Sequence, residues 1–132
     1  MTPTTNADRE RLYTEYLRIE GYRPDLDVDG KVRFHRRGIR YTIHLDDLQE
    51  HFCVSVPIAP LKSLADRVKA NKAALVANDS TKVARICVYE AFALAEVSTY
   101  FSPPEQFKPV FLRIMAGLES VMEAFDDEMK KQ

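Results

Sequence analysis

The chain of 132 residues is poor in the residues from which reactive and ligand-binding motifs are built. It has two cysteines, Cys53 and Cys87, without CxxC or CxH spacing, and its four glycines are isolated from one another. Isolated glycines cannot form a loop that cradles phosphate, and no serine lies in a GxSxG motif. Distant cysteines inside apolar runs are typical of small buried hydrophobes in a reducing cytoplasm and do not indicate a disulfide framework.

Long apolar runs and a large net charge are also missing. No run approaches the about 20 residues that a membrane span requires, and the N-terminus lacks the apolar core of a signal peptide. The net charge of −1 gives no overall field that would draw the chain to nucleic acid or to a membrane surface. We therefore expect a cytoplasmic protein without a membrane anchor or a cofactor, folded as a single domain over residues 1–132.

The clearest pattern that is present is the alternation of apolar and polar side chains from Lys31 to Leu45. The apolar positions of this segment are Val32, Phe34, Tyr41, Ile43 and Leu45, and the polar positions are Arg33, His35, Arg40, Thr42 and His44. Such a period of two predicts an antiparallel hairpin with one buried face. A two-residue turn at Arg37-Gly38 keeps the apolar residues on one face and the polar residues on the other, because it sets Phe34 opposite Tyr41 and His35 opposite Arg40.

A helix and a short strand are predicted before this hairpin. The helix covers residues 6–20 and ends at Gly21; its cap is Thr5 with Asp8, and its apolar face carries Leu12, Tyr16 and Ile19. Leu26 and Val28 then begin a strand. A loop over Asp29 to Lys31 would pair Leu26 with Phe34 and Val28 with Val32, which keeps apolar residues on one face.

Another strand and two helices are predicted after the hairpin. The strand contains Phe52, Val54 and Val56 and is stopped by Pro57. A helix then runs from Pro60 to about Asn78, with an apolar face of Leu61, Leu64, Val68, Leu75 and Val76. The last helix has Ser102 as its cap, and Pro109 separates its first turn from a main helix that starts near Lys108. Its buried side contains Phe107, Phe111, Ile114, Leu118, Val121 and Phe125, with Gly117 as the point of closest backbone approach.

A second hairpin is predicted over residues 82–101, turning at Glu90-Ala91. This register places Arg85 opposite Glu96 and gives a small apolar face formed by Ala84, Ile86, Val88, Ala93, Ala95 and Val97. The opposite face then carries an apolar patch of Val83, Cys87, Tyr89 and Leu94. Such a patch requires a covering helix, a second subunit or a partner segment.

The histidines and the acidic pair Asp46-Asp47 are the remaining candidates for chemistry. In the predicted register His35 and His44 stand about 13 Å apart along the strands. A shared zinc ion would need both within about 2.1 Å, so no metal site is expected. His51 has no cysteine or acid at ligand spacing, and adjacent acids at a strand end usually hydrate a turn. We therefore expect solvent-facing histidines and no catalytic residues.

Several short motifs resemble the YbjN-like family of candidate bacterial sensory transduction regulators. They are Gly21-Tyr22, Asp29-Gly30, Val32-Arg33-Phe34, Gly38, Tyr41-Thr42-Ile43 running into Leu45-Asp46, Phe52, Val56-Pro57 and Ser102-Pro103-Pro104-Glu105-Gln106-Phe107. The resemblance implies the fold of the type III secretion chaperone-like proteins. Relatives with this fold bind an extended segment of another protein, often as homodimers. No catalytic residue is implied.

The predicted fold class is α+β, with an antiparallel five-stranded sheet packed with helices in the order α-β-β-β-α-β-β-α. The leading functional prediction is a non-enzymatic bacterial protein-binding module, chaperone-like or regulatory, that holds a partner segment on its outer sheet face or at a strand edge. The predicted partner-binding residues are Val83, Cys87, Tyr89, Leu94, Arg33 and Arg40, and a homodimer is compatible with this prediction.

Two other functions stay open at this point. The first is a polyanion or nucleic-acid binder that uses the basic residues Lys31, Arg33, Arg36, Arg37 and Arg40. Nucleic acid is disfavoured as the partner, because Phe34 and Tyr41 point away from these charges and cannot stack on bases beside them. The second is an enzyme with an unrecognised site, which would require a deep pocket with polar groups converging around His44 or Asp46.

Overall fold

A computed structural model describes residues 6–26 and 30–131. Within these residues the chain has three α-helices, α1 (Asn6–Ile19), α2 (Leu64–Asp79) and α3 (Phe111–Lys131), and a 3-10 helix, Pro104–Val110. The same residues contain six strands: β1 (Asp25–Leu26), β2 (Val32–Arg36), β3 (Ile39–His44), β4 (His51–Pro60), β5 (Arg85–Val88) and β6 (Phe92–Tyr100). None of the described helices combines the length and the apolar character that crossing a bilayer demands.

The strands form one sheet in the order β1-β2-β3-β4-β6-β5, with antiparallel pairing. The predicted α+β class is therefore confirmed. The predicted number of five strands was one too low: the strand expected at Leu26 was left out of that number, and Asp25–Leu26 does pair with β2 as a short strand. The chain divides into two compact units, the first covering the chain up to Val56 with Ser98–Phe111, and the second covering Pro57–Val97 with the chain from Leu112.

The β2–β3 hairpin of the first unit has the predicted register. Phe34 pairs with Tyr41 and His35 with Arg40, while Val32, Phe34, Tyr41 and Ile43 are buried. The turn residues Arg37 and Gly38 have φ angles of 51° and 79°. Two consecutive residues in the left-handed region match the right-handed twist of a two-residue hairpin.

The predicted register of β1 was wrong. Leu26 pairs with Val32 instead of Phe34, and Val28 lies outside the described residues. A shift of two residues keeps every side chain on the same face of a strand. Face consistency therefore cannot separate the predicted pairing from the observed one.

The bounds of α1 agree with the prediction, but a different face is buried. Tyr13 and Leu17 are buried, whereas Ile19 is exposed, and Thr5 lies outside the described residues. The Tyr13 ring packs edge-on against Phe52, with ring centroids 5.6 Å apart, which fixes the inward side of the helix. At the C-terminus Gly21 has φ 93°, the left-handed conformation that ends many helices.

Two further expectations in the middle of the chain were wrong. Strand β4 continues past Pro57 to Pro60, since proline removes one donor but has a φ compatible with an extended strand. Helix α2 begins after Ser63, whose hydroxyl accepts the Asp66 N–H at 3.1 Å. The residues that it buries are Ala70, Ala73, Ala74 and Ala77, whereas Leu64, Val68, Leu75 and Val76 are exposed.

The C-terminal end of α2 holds the edge strand β5 through Asn78. The Asn78 amide Nδ2 donates to the Ile86 carbonyl at 3.0 Å, and the Ile86 N–H donates to Asn78 Oδ1 at 2.6 Å. One side chain thus satisfies both backbone groups of Ile86, as a neighbouring strand would. Small alanines in α2 allow the helix backbone to lie close enough for this contact.

The β5–β6 hairpin confirms the predicted pairing of Arg85 with Glu96 and of Val88 with Ala93. Its turn is at Glu90-Ala91, where the Tyr89 N–H donates to the Phe92 carbonyl at 2.9 Å. The small apolar face is buried at Ala84, Ile86, Ala93, Ala95 and Val97.

The separate first turn before the last helix is also confirmed. It is the 3-10 helix, which contains Pro109, and α3 starts at Phe111, three residues later than predicted. The cap position is Pro103 and not Ser102, and no side chain caps the turn. The predicted buried residues are buried, from Phe107 to Phe125. Gly117 makes no exceptional approach, since a Cβ there would lie 3.8 Å from the Ala84 Cβ, an ordinary contact.

Two glycine substitutions should therefore have opposite effects on the free energy of unfolding. Gly38→Ala forces an L side chain into the left-handed region and should destabilise by about 1 kcal/mol. Gly117→Ala adds a methyl group in helical backbone without a clash and should stabilise by about 0.5 to 1 kcal/mol. Urea titration measures both, and a loss of stability in Gly117→Ala would show that the helix packs more closely than described.

Removal of the Asn78 amide should expose the edge of β5. Asn78→Ala leaves both backbone groups of Ile86 without their side-chain partner and should destabilise by about 1 to 3 kcal/mol. It should also increase self-association, since an open strand edge pairs with other chains. Asn71→Ala, on the exposed side of the same helix, is the matched control and should change stability by less than about 0.5 kcal/mol.

Candidate functional site

Three polar side chains of the first unit form a continuous hydrogen-bonded relay. Asp46 Oδ2 lies 2.7 Å from His51 Nδ1, and His51 Nε2 lies 2.6 Å from the Ser98 hydroxyl. His51 begins β4 and Ser98 lies near the end of β6, neighbouring strands of the sheet. Ser98 is exposed, and the other two side chains are partly exposed. This Asp46–His51–Ser98 set is called the relay below.

The direction of the relay follows from its donors and acceptors. An ionised carboxylate only accepts hydrogen bonds, so Asp46 selects the tautomer with the proton on His51 Nδ1. Nε2 then carries the free electron pair and accepts the Ser98 hydroxyl proton. The His51 ring also lies beside Tyr100, with ring centroids 5.4 Å apart, which restricts its rotation.

A buried arginine of α1 holds the loop segment that contains Asp46. Arg9 of α1 is fully buried, and its guanidinium donates to the backbone carbonyls of Asp46 and Leu48, the latter at 3.0 Å. It also donates to the Asn6 side-chain oxygen. These bonds fix the 46–48 backbone, so the carboxyl of Asp46 has a defined position.

The Asp46 carboxyl is in its charged form near neutral pH. Burial alone would raise its pKa, but the hydrogen bonds from His51 and from the Leu48 N–H, which lies 2.9 Å from Oδ1, together with the nearby Arg9 charge, lower the pKa below its usual value. The ionised carboxylate that orients His51 is thus supplied by the local structure.

Sequence reasoning missed the relay. His51 was expected to have no acid at ligand spacing, yet Asp46, five positions earlier in the sequence, contacts it, and Asp46 was expected only to hydrate a turn. The one available signal was the presence of His51 shortly after two acids; Ser98, which is distant in sequence, gave none. Polar groups do converge around Asp46, as the enzyme alternative requires, but the groove that adjoins them is open and is not the deep pocket that this alternative also requires.

The other two histidines differ from each other. His44 Nε2 lies 2.6 Å from the Ser55 hydroxyl, and Ser55 is only 4% exposed, while His35 is exposed on β2. The expectation of solvent-facing histidines therefore holds for His35 but not for the two that bond serines. The described residues bring together no group of three or more His, Cys, Asp or Glu that could hold a metal ion.

An open groove adjoins the relay. It is lined by Asp47, Leu48, Gln49, Glu50, Tyr100, Ser102, Pro103 and Pro104. Tyr100 forms part of its wall and also contacts His51. Its two acidic side chains, Asp47 and Glu50, favour an uncharged or positively charged occupant over an anion.

The predicted basic binding residues lie elsewhere on the first unit. Arg33 is on β2, opposite Thr42, and Arg40 is on β3, opposite His35. Arg40 is exposed and Arg33 is half-buried. Phe34 and Tyr41, which alternate with them, are buried, as expected.

The predicted apolar residues form a patch on the β5–β6 hairpin of the second unit. Val83 is 57% exposed and Tyr89 46% exposed, while Cys87 and Leu94 are half-buried and paired with each other. Phe92 belongs to the patch and was missed, although the period of two from Leu94 places it there. It is 40% exposed, and its ring centroid is 5.1 Å from that of Tyr89. These five residues are called the hairpin patch.

Two charged residues on the same face as the hairpin patch, Arg85 and Glu96, neutralise each other. Arg85 forms an ion pair with Glu96 at 2.6 Å. Burial, and then the Glu96 carboxylate, raise the pKa of the Cys87 thiol, so this side chain stays protonated and apolar. Cys53 and Cys87 are both half-buried and form no disulfide, and the expectation that they lie in the core was wrong.

The fold is similar to those of two solved structures. A chain of the HopA1–SchA chaperone–effector complex matches with a TM-score of 0.64 and 18% identity, covering 96% of this chain and 99% of that one. YbjN from E. coli, a candidate transcription regulator, matches with a TM-score of 0.69 and 14% identity, covering 97% of each chain. The expected YbjN-like, type III secretion chaperone-like fold is confirmed. No protein-family model and no curated protein sequence matches the chain.

Loss of the Arg9 guanidinium should cost much more stability than loss of an exposed arginine. Arg9→Met keeps the apolar stem but leaves the carbonyls of Asp46 and Leu48 without their donor, and we expect a loss of about 3 kcal/mol in the free energy of unfolding. Arg11→Met is the control, because the Arg11 side chain is exposed and forms an ion pair with the partly exposed Asp8 at 3.5 Å. Its expected effect is below about 0.5 kcal/mol, and equal losses in the two variants would contradict the anchoring role.

Proposed function

We infer that the chain is a bacterial, cytoplasmic protein-binding module that holds an amphipathic segment of another protein on the hairpin patch. The observation that carries this proposal is the exposure of Tyr89 and Phe92, whose ring centroids lie 5.1 Å apart at the turn of the hairpin, next to the paired Cys87 and Leu94. Scattered single apolar residues are common on protein surfaces, whereas contiguous ones mark sites of interaction. The binding role requires no catalysis.

The chemistry of the patch indicates the kind of partner. Tyr89 and Phe92 offer two adjacent aromatic rings, the residue type that contributes most to protein interfaces. Arg85 and Glu96 neutralise each other beside them. An apolar side of a partner segment can therefore dock without burying an unpaired charge.

The edge of the sheet is less suited to the partner than its face. At β5, Asn78 already occupies both backbone groups of Ile86. A partner strand would have to displace these hydrogen bonds before it could add to the sheet. Docking of side chains on the hairpin patch requires no such displacement.

The similarity in fold supports the same kind of function. One matching structure is that of a chaperone–effector complex, and the presence of this fold in such a complex is the precedent for our proposal. The polyanion alternative is weaker, because the aromatic side chains of the basic hairpin, Phe34 and Tyr41, are buried and cannot stack on bases. In the protein-binding function that we propose, the positive charges of Arg33 and Arg40 attract an acidic region of the partner as it approaches.

The test is a binding titration with synthetic amphipathic peptides, each paired with a scrambled peptide of the same composition. The unmodified chain should bind the amphipathic members at micromolar concentration in fluorescence anisotropy. Tyr89→Ala and Leu94→Ala should weaken this binding by about tenfold, or about 1.4 kcal/mol, because each removes apolar contact area.

The matched control is Leu75→Ala on α2. Leu75 is 75% exposed but lies outside the hairpin patch, so this variant should bind as the unmodified chain does. Equal binding of amphipathic and scrambled peptides would contradict the proposal. A loss with Leu75→Ala that equals the loss with Tyr89→Ala would also contradict it, because α2 would then carry the site. If the patch serves instead for a homodimer, Tyr89→Ala would lower the mass measured by analytical ultracentrifugation.

A further inference from the structure

We propose that Ser98 is an activated nucleophile that accepts acyl groups from uncharged or cationic esters, with His51 as its general base. This activity is independent of the partner binding proposed above. It rests on the geometry of the relay, in which a carboxylate, an imidazole and a hydroxyl follow one another at 2.7 and 2.6 Å. The same order of groups activates the serine of many hydrolases, on unrelated folds.

The two distances satisfy the requirement for proton transfer. A general base must lie within about 2.6 to 3.2 Å of the group from which it takes a proton, and His51 Nε2 meets this condition with Ser98. Asp46 is a positioning residue, since it contacts Nδ1 and fixes the tautomer. The Arg9 and Leu48 contacts hold Asp46 in turn, so the base is oriented before any substrate arrives.

The serine of the relay is accessible, whereas the other serine bonded to a histidine is not. Ser98 is exposed on β6, and Ser55, which contacts His44, is 4% exposed. The acidic groove beside Tyr100 adjoins the relay and disfavours anionic substrates. These features together point to Ser98 as the reactive hydroxyl and to uncharged or cationic esters as the acyl donors.

The proposed reaction has two steps. Ser98 Oγ attacks the carbonyl carbon of the ester while its proton moves to His51 Nε2; the bond from that carbon to the leaving oxygen then breaks, and the leaving alcohol takes the proton from His51. The serine ester that results is hydrolysed when water gives a proton to His51 Nε2 and attacks the same carbon; the bond from that carbon to Ser98 Oγ then breaks, and Oγ takes the proton from His51. The products are a carboxylic acid and the restored Ser98 hydroxyl.

The experiment treats the full chain with p-nitrophenyl acetate, quenches it with acid and locates the acetyl group by peptide mass spectrometry. Ser98 should be acetylated about 100-fold faster than the exposed Ser102 of the same unit, the gain expected from one general base. This comparison is made within the unmodified protein and depends on no variant being folded. Equal rates at Ser98 and Ser102 would overturn the proposal.

Variants then separate the roles of the three residues. Ser98→Ala should abolish the fast release of p-nitrophenol, and His51→Gln should slow acetylation of Ser98 by about 100-fold. Fast release that persists in Ser98→Ala would show that the imidazole itself reacts, which would also overturn the proposal. Ser120→Ala, at an exposed serine of α3 outside the groove and the relay, is the matched control and should leave the rate unchanged.

The positioning role of Asp46 has a spectroscopic signature. Nitrogen-15 chemical shifts of the His51 ring should report the proton on Nδ1 in the unmodified chain. In Asp46→Asn the amide can donate to Nδ1, so the proton should move to Nε2 and acetylation of Ser98 should fall. An unchanged tautomer with an unchanged acetylation rate would show that Asp46 does not orient the base.

Discussion

The alternation of side chains along paired strands is the constraint on which both candidate sites depend. In β2 and β3 the register of Phe34 with Tyr41 buries one set of residues and turns Arg33 and Arg40 to the other face. In β5 and β6 the pairing of Cys87 with Leu94 does the same for the hairpin patch. A slip of one residue would move every one of these side chains to the opposite face. Register therefore determines which chemistry reaches the surface.

The relay depends on a second interaction, because side-chain alternation along the strands does not fix the position of Asp46 in its loop. Arg9 supplies it by holding the backbone carbonyls that surround Asp46. Burial of a guanidinium is costly unless its donors are satisfied, and here carbonyl groups satisfy several of them. Thus a residue of α1, through its hydrogen bonds to the backbone of Asp46 and Leu48, fixes the position of the relay carboxylate.

Much of the fold could be predicted from the sequence, because turn chemistry and a period of two act locally. Arg37-Gly38 and the residues around it define the first hairpin, and Arg85 with Glu96 defines the second. The buried face of α2 could not be predicted by the same reasoning. Large apolar side chains such as Leu64, Val68 and Leu75 are expected in a core. Because α2 lies close to β5, however, only its small alanines fit between the two elements, and the larger residues are exposed.

The candidate sites were predictable to different degrees for the same reason. Four members of the hairpin patch follow from local alternation, and Phe92 would have followed from one further step of it. The relay depends on contacts between distant segments, which no local pattern encodes. From the sequence alone, Arg9 is expected to be an exposed charge on a helix, and nothing distinguishes Ser98 from the other serines. Their roles appear only when the loop after β3, the start of β4 and the end of β6 are seen together.

The central claim is that the outer face of the β5–β6 hairpin is the surface on which a partner segment docks. Backbone amide chemical shifts, followed by NMR as an amphipathic peptide is added, test it most directly. If the peptide docks on the hairpin patch, the shifts should be confined to Val83, Cys87, Tyr89, Phe92, Leu94 and their immediate neighbours. Shifts centred on the exposed residues of α2 or on β1, with the hairpin unchanged, would contradict it.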